Sequence, residues 1–226
     1  MDIITSLKGK IVVSAQAMPN EPFYDEKCIF AMMQSAINGG AQGLRVAGSR
    51  DVKIAKSFKV PVIGLTKPNK LPENWKNVVY ITPTLKEVQE LLDAGADIIA
   101  FDGTSRPRPD GCDLKQIIDL IHSNNKLAMA DISSLEDGIN AEIFGADIIS
   151  TTLAGYTKET ENTDTTPDFN LLEKLVKTVK KPVFLEGRVW YPEEVKKAFK
   201  LGAHSVVIGS AITRPHLITK RFTEVL

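Results

Sequence analysis

Residues 88–102 read VQELLDAGADIIAFD. Val88, Leu91 and Leu92 share one helical face, and Gly95-Ala96 follows them. A glycine just past a helix adopts the left-handed conformation that ends it. DIIAFD is then a short apolar run of the kind that a strand buried on both faces requires. The unit reads helix, stop, strand. It recurs about every 50–57 residues: Gly40-Ala41 leads into GLRV, Gly145-Ala146 into DIIST and Gly202-Ala203 into SVVIGS.

A second set of strands interleaves with the first. IVVSAQ ends at Gln16, PVIGLTK at Lys67, LAMAD at Asp131 and PVFLE at Glu186. Two of them open with Pro61 and Pro182, where a strand start tolerates the missing donor. The order is strand–helix repeated eight times, with strands near 11–16, 43–46, 61–66, 97–102, 127–131, 147–151, 182–186 and 205–209. Alternating βα units with apolar strands imply a parallel sheet covered by helices, and eight of them predict a single (β/α)8 TIM barrel over residues 1–226. VVYIT at 78–82 has the makings of a ninth short strand and is read here as part of the third connection. Helix-to-strand connections are short. Strand-to-helix connections are long: 17–25, 68–83, 103–113 and 153–167. The working face is therefore expected at the C-terminal ends of the strands.

The 226 residues are 43% hydrophobic and 25% charged, with 28 basic and 28 acidic side chains. A neutral chain without long like-charge blocks argues against a nucleic-acid or membrane-surface partner. The cysteines, Cys28 and Cys112, form no CxxC pair, so neither a disulfide framework nor a structural zinc is expected. No signal peptide or spanning segment is evident, which predicts a cytoplasmic, soluble protein.

Each second-set strand ends on a hydrogen-bonding or charged side chain at the working face. Interior layers of such barrels draw on alternate strands, so Gln16, Lys67, Asp131 and Glu186 are expected to form one ring, with Ser14, Leu65, Met129 and Phe184 packed beneath. The alternative is that some of the four point outward to cap helices. None of the three histidines sits at a strand end of this face, so proton transfer would fall to Lys67, Glu186 or Asp131. A lysine base needs a lowered pKa, for which Arg45 could supply the cation; Glu186 would act in the opposite sense. Lys67 is equally open to the roles of electrophile, phosphate ligand or Schiff-base former. The last two connections, Glu186-Gly187-Arg188 and Gly209-Ser210 followed by Arg214, suit a phosphate: glycine admits close backbone approach and arginine adds charge. Simple tight turns are the competing reading. Asp102 is open to a sugar contact, a pair with Arg106 or loop fixing. Gly155-Tyr156-Thr157 opens a lid-like polar stretch, and Trp75 and Trp190 sit in neighbouring connections. No metal site and no cofactor motif is predicted.

The segments VSAQAMP, GLRVAG, PVIGLTK, VYITPT, IIAFDGTSRPRP, MADIS, TTLAGYT, LEGR and VVIGSAITRP, in this order from about residue 8 onward, resemble the N-acetylmannosamine-6-phosphate 2-epimerases. The resemblance implies an isomerase that interconverts N-acetylmannosamine 6-phosphate and N-acetylglucosamine 6-phosphate in sialic-acid catabolism, without a cofactor. It implies proton transfer at C2 by Lys67 with Glu186 as partner. Gln16, Arg45 and Asp131 would hold the sugar, and Gly187, Arg188, Gly209, Ser210 and Arg214 would surround the phosphate. Arg45-Val46-Ala47-Gly48 departs from a more polar family pattern, so no contact is carried over to positions 46–47. The competing functions are a phosphosugar aldolase or lyase with a Schiff base on Lys67, and a non-catalytic phosphosugar-binding barrel. A homodimer is the expected assembly, with HLITKRFTEVL packing on its own barrel or on a neighbour.

Overall fold

The computed structural model describes residues 2–226. Its strands are β1 (Lys10–Ser14), β2 (Gly43–Ala47), β3 (Val62–Leu65), β4 (Ile98–Asp102), β5 (Leu127–Asp131), β6 (Ile148–Ser150), β7 (Val183–Glu186) and β8 (Ser205–Ile208). All pair in parallel, in chain order, and β8 pairs with β1 to close the barrel. The helices are α1 (Ile3–Ser6), α2 (Glu26–Asn38), α3 (Ser49–Ala55), α4 (Leu85–Asp93), α5 (Leu114–Ser123), α6 (Leu135–Phe144), α7 (Phe169–Thr178), α8 (Pro192–Lys200), α9 (Ser210–Thr213) and α10 (Pro215–Thr223). The TIM barrel expected from the repeat is the observed architecture.

Local chemistry accounts for the punctuation. Thr84 with Glu87, Asp113 with Gln116 and Ser134 with Asp137 close capping boxes at the starts of α4, α5 and α6, each satisfying orphan helix donors reciprocally. At the other ends, Gly40, Gly95, Gly145 and Gly202 all have positive φ, between 89° and 103°. A side chain at any of these positions would be strained.

Apolar residues separate into two shells. One lies between strands and helices and includes Val46, Ile99, Phe101, Leu91 and Ile117. The other fills the barrel: Val12, Ile63, Leu65, Ile98, Ala100, Met129, Ile148, Phe184 and Val207, with Leu7 and the α1 residues Ile3 and Ile4 packed against it. His204 bonds the Ile4 carbonyl at 2.8 Å and stacks on Phe184, fixing α1 to the barrel. The anticipated layer is present: Leu65, Met129 and Phe184 are fully buried and Ser14 is nearly so.

Three sequence expectations are refined. β1 stops at Ser14 and β3 at Leu65, so Gln16 and Lys67 lie two residues beyond their strands. The parity of the chain carries on past both ends, and Ala15 still donates to the Arg45 carbonyl at 2.9 Å. VVYIT is not a strand. Its end is instead wedged between the tops of β3 and β4: Thr82 N–H donates to Thr66 O (3.1 Å), Thr82 Oγ1 to Ala100 O (2.6 Å), and Asp102 N–H to Ile81 O (3.1 Å). The wedge takes hydrogen bonds that the two strands would otherwise exchange, and direct β3–β4 pairing is confined to Ile63–Ile98 and Gly64–Ile99. Finally, the eighth connection makes two helices, α9 and α10, and α10 has no buried residue, with Phe222, Val225 and Leu226 exposed at or just after it. Among the described residues no helix is long and apolar enough to cross a membrane.

Candidate active site

β2, β5 and β7 deliver the charged centre. Arg45, on β2, is fully buried and grips Asp131 at the end of β5 through Nη1–Oδ1 (3.1 Å) and Nη2–Oδ2 (2.5 Å). Its Nη1 also lies 3.7 Å from the Met129 sulfur. Its Nε is 3.3 Å from Glu186 Oε2, close enough for an ion pair but without hydrogen-bond geometry, so that N–H has no partner among the described residues. The ring expected from the odd strands is therefore completed by a residue from an even one. Stagger between neighbouring strands brings Arg45 to the level of the two carboxylates, and strict alternation does not hold at this layer.

Burial works against the charge on Arg45, but the neighbouring Asp131 and Glu186 carboxylates more than offset it and hold its pKa above the usual value. The Glu186 pKa is raised chiefly by burial, with Arg45 opposing that shift. The Lys67 pKa is lowered, first by desolvation and then by the Arg45 cation, against the pull of Glu186 and Asp131. The Lys67 side chain is nonetheless open to solvent, standing in an open-topped well lined by barrel residues. Lys67 makes no hydrogen bond or ion pair with the described residues. Lysine and glutamate are thus both pushed toward their neutral forms.

The well is a cavity of about 420 Å³, lined by Gln16, Lys67, Glu186, Gly187, Gly209 and Arg214 among others. Gln16 Nε2 donates to Ser14 Oγ at 2.8 Å, which turns it inward. Trp75 and Tyr80 form one wall in an edge-to-face pair. Burial raises the Tyr80 phenol to about 12, so it remains a neutral hydrogen-bonding group.

Around the last two connections, the backbone N–H groups of Gly187, Arg188, Gly209 and Ser210 donate to no acceptor among the described residues. Gly187 and Arg188 both have positive φ, at 106° and 56°. Four free donors beside two glycines form a cradle suited to an anion. The two arginines are less free than the sequence suggests. Arg188 lines the well but donates Nε to Thr166 O (2.7 Å) and Nη1 to Ala154 O (2.8 Å), and lies over the Tyr156 ring. It ties down the 153–167 connection. Arg214 pairs with Glu21 and reaches the Gln16 carbonyl; half-burial lowers its pKa.

Asp102 does not line the well. It is fully buried and binds Arg106 at 2.6 Å, while Arg106 Nη1 donates to Lys76 O and Val78 O. The cluster anchors the 68–83 connection. Among the described residues no group of three His, Cys, Asp or Glu could hold a metal. Sequence reasoning missed Thr152. Its hydroxyl lies 2.7 Å from Asp131 Oδ1, 3.1 Å from Glu186 Oε2 and 2.8 Å from Ser150 Oγ. A threonine within TTLAGYT carries no periodic signal; only the register of β6 beside the two carboxylates reveals it.

A family model described as "Putative N-acetylmannosamine-6-phosphate epimerase" matches residues 29–226. The chain belongs to this epimerase family. A relative from Clostridium perfringens, described as a "Putative N-acetylmannosamine-6-phosphate 2-epimerase", is 49% identical over 221 residues, covering 97% of this chain and 98% of the relative. A relative from Clostridioides difficile with the same description is 45% identical and covers 99% of both chains. Among solved structures, the N-acetylmannosamine-6-phosphate 2-epimerase from Clostridium perfringens superposes with a TM-score of 0.94 at 47% identity, covering 100% of this chain and 97% of that one. A thiamine phosphate pyrophosphorylase from Pyrococcus furiosus, at 17% identity and a TM-score of 0.62, shares the fold.

Proposed function

We propose that this chain is an isomerase that interconverts N-acetylmannosamine 6-phosphate and N-acetylglucosamine 6-phosphate by proton exchange at C2. The observation that carries the reading is a lysine and a glutamate, both shifted toward neutrality, in one well with an anion cradle. Family membership supplies the substrate. In the open-chain sugar the C1 aldehyde acidifies C2. Neutral Lys67 takes the C2 proton, the C–H electron pair moves into the carbonyl, and the enolate oxygen develops charge. Return of a proton to the opposite face of C2 inverts the centre. Glu186, as the protonated partner, serves ring opening and proton exchange. Gln16, Arg45 and Asp131 are assigned to holding the sugar; Arg45 and Asp131 act from behind the well, since both are fully buried. The phosphate sits on the N–H groups of Gly187, Arg188, Gly209 and Ser210, with Arg214 adding charge. Binding energy gathered there, away from C2, can be used in the transition state.

Proton NMR of N-acetylmannosamine 6-phosphate with the protein in deuterated water tests the reading directly. The N-acetylglucosamine 6-phosphate formed should carry deuterium at C2. Product without that label would exclude the exchange mechanism. In the same solution borohydride should leave Lys67 unlabelled; a trapped adduct would instead indicate a Schiff-base lyase. Replacing Arg214 with Met should raise KM about tenfold with little change in kcat, as expected for a charge-assisted contact shared by ground and transition states. An unchanged KM would remove Arg214 from the phosphate site.

We further place the reaction in cytoplasmic amino-sugar catabolism of the sialic-acid type, and propose that the chain works as a homodimer. The exposed apolar residues at the end of α10 favour self-association; light scattering that returned the monomer mass would refute it.

A further inference from the structure

The Thr152 hydroxyl has more neighbours than it can serve with its single proton. Asp131 Oδ1, Glu186 Oε2 and Ser150 Oγ all lie within 3.1 Å. A hydroxyl donates one hydrogen bond and accepts two. Asp131 already accepts both terminal nitrogens of Arg45, whereas Glu186 accepts no hydrogen bond from that guanidinium, whose nearest N–H is misaligned. Which carboxylate receives the Thr152 proton therefore depends on whether Glu186 is charged.

We propose that Thr152 is a positioning residue that sets the charge state of Glu186, its hydroxyl rotating between the two carboxylates during turnover. This rests on the acid–base role proposed above for Glu186. With Glu186 protonated, its O–H donates to Thr152 Oγ1, and the threonine proton points to Asp131. When Glu186 gives its proton to the sugar, the threonine O–H swings to Glu186 Oε2, while Arg45 continues to hold Asp131. Ser150 Oγ–H supplies the remaining bond to Thr152. The Glu186-to-Thr152 and Thr152-to-Asp131 hydrogen bonds give way to one from Thr152 to Glu186, and the new carboxylate acquires a donor as it forms. Thr152 also lines the well, so the rotor lies within reach of solvent and substrate.

The groups facing Glu186 are Arg45 from β2, Lys67 beyond β3, Asp131 from β5 and Thr152 beyond β6. Of these, only Thr152 can switch its donor without moving its backbone or changing its own charge. Its hydrogen bond favours the ionised form of Glu186. The working state has neutral Lys67 and protonated Glu186; protonation of Lys67 ends activity on the acid side, and loss of the Glu186 proton ends it on the alkaline side.

The test is the pH dependence of kcat/KM for the parent protein, T152V and T152S, assayed with N-acetylmannosamine 6-phosphate. Valine keeps the shape of threonine and removes the hydroxyl. T152V should move the alkaline limb to higher pH by about one unit, the size expected for losing a hydrogen bond to a charged group. T152S should restore the parent limb. A purely structural role would lower activity evenly across pH, so a T152V profile with the parent's limb overturns the proposal. T152A reads the same limb if the valine variant does not fold. If the parent itself fails to convert either N-acetylhexosamine 6-phosphate, the proposed function falls. An active parent with an unmoved T152V limb removes only the role of Thr152.

Discussion

Replacing Lys67 with Ala lowers kcat for the interconversion by about 10²–10⁴-fold, the range over which a positioned acid or base contributes, and leaves the fold intact. The two halves of this expectation have different causes. Lys67 stands in the well without a protein partner, two residues past the end of β3 and above the packed layer formed by Leu65, Met129 and Phe184. Its removal leaves no buried group unpaired and opens no core cavity, so the urea midpoint should stay near that of the parent. What is lost is the amine that burial and Arg45 hold below its ordinary pKa at the mouth. Steady-state rates in both directions, with deuterium wash-in at C2, check the result. Full activity in the alanine variant would remove Lys67 from the mechanism.

The second large effect is on stability. Asp131 and Arg45 are both fully buried and joined by two hydrogen bonds. Asp131→Ala leaves the guanidinium in the barrel with only Glu186 nearby. Removing one partner of a buried pair costs about 3–5 kcal/mol, against a total stability of about 5–15 kcal/mol. The urea midpoint should fall steeply and activity with it. The double variant R45M/D131L tests the cause, since apolar replacement of a whole buried pair is often neutral or stabilising. It should regain most of the lost stability and none of the activity. If Asp131→Ala unfolds at the parent's midpoint, the pair does not hold the barrel; if the double variant is active, it does not serve the chemistry.

The fold was legible because the chain repeats its punctuation. Gly95, Gly145 and their counterparts need the left-handed backbone that their positive φ values display, and the strands after them are short, apolar and buried on both faces. Parity then brought Gln16, Lys67 and Glu186 to one mouth, with Asp131 buried just behind it, even though two of the four lie beyond their strands. Arg45 was legible as a cation beside Lys67, but its place within the ring was not, because stagger between neighbouring strands cannot be counted from one strand's sequence. Arg188 was assigned charge at the phosphate, whereas its Nε and Nη1 bind the carbonyls of Thr166 and Ala154. Its type and position suit an anion, and only the path of the 153–167 connection shows what else claims it. Thr152 had no signal at all; its importance comes entirely from which acids lie beside it.

The wedge at Ile81–Thr82 has a consequence for redesign of the chain. A connection whose end is built into the sheet cannot be lengthened, cut or re-spliced there without unzipping the upper β3–β4 junction. The same connection is exposed from Pro68 to Asn74, and although Leu71 lines the well, this stretch makes no backbone hydrogen bond to a strand. New termini or an inserted reporter domain near Asn69–Leu71 should therefore be accommodated, while the same operation at Tyr80–Pro83 should dismantle the wall that carries Tyr80. The longest strand-to-helix excursion on this side of the barrel is a keystone at one end and a graft site at the other.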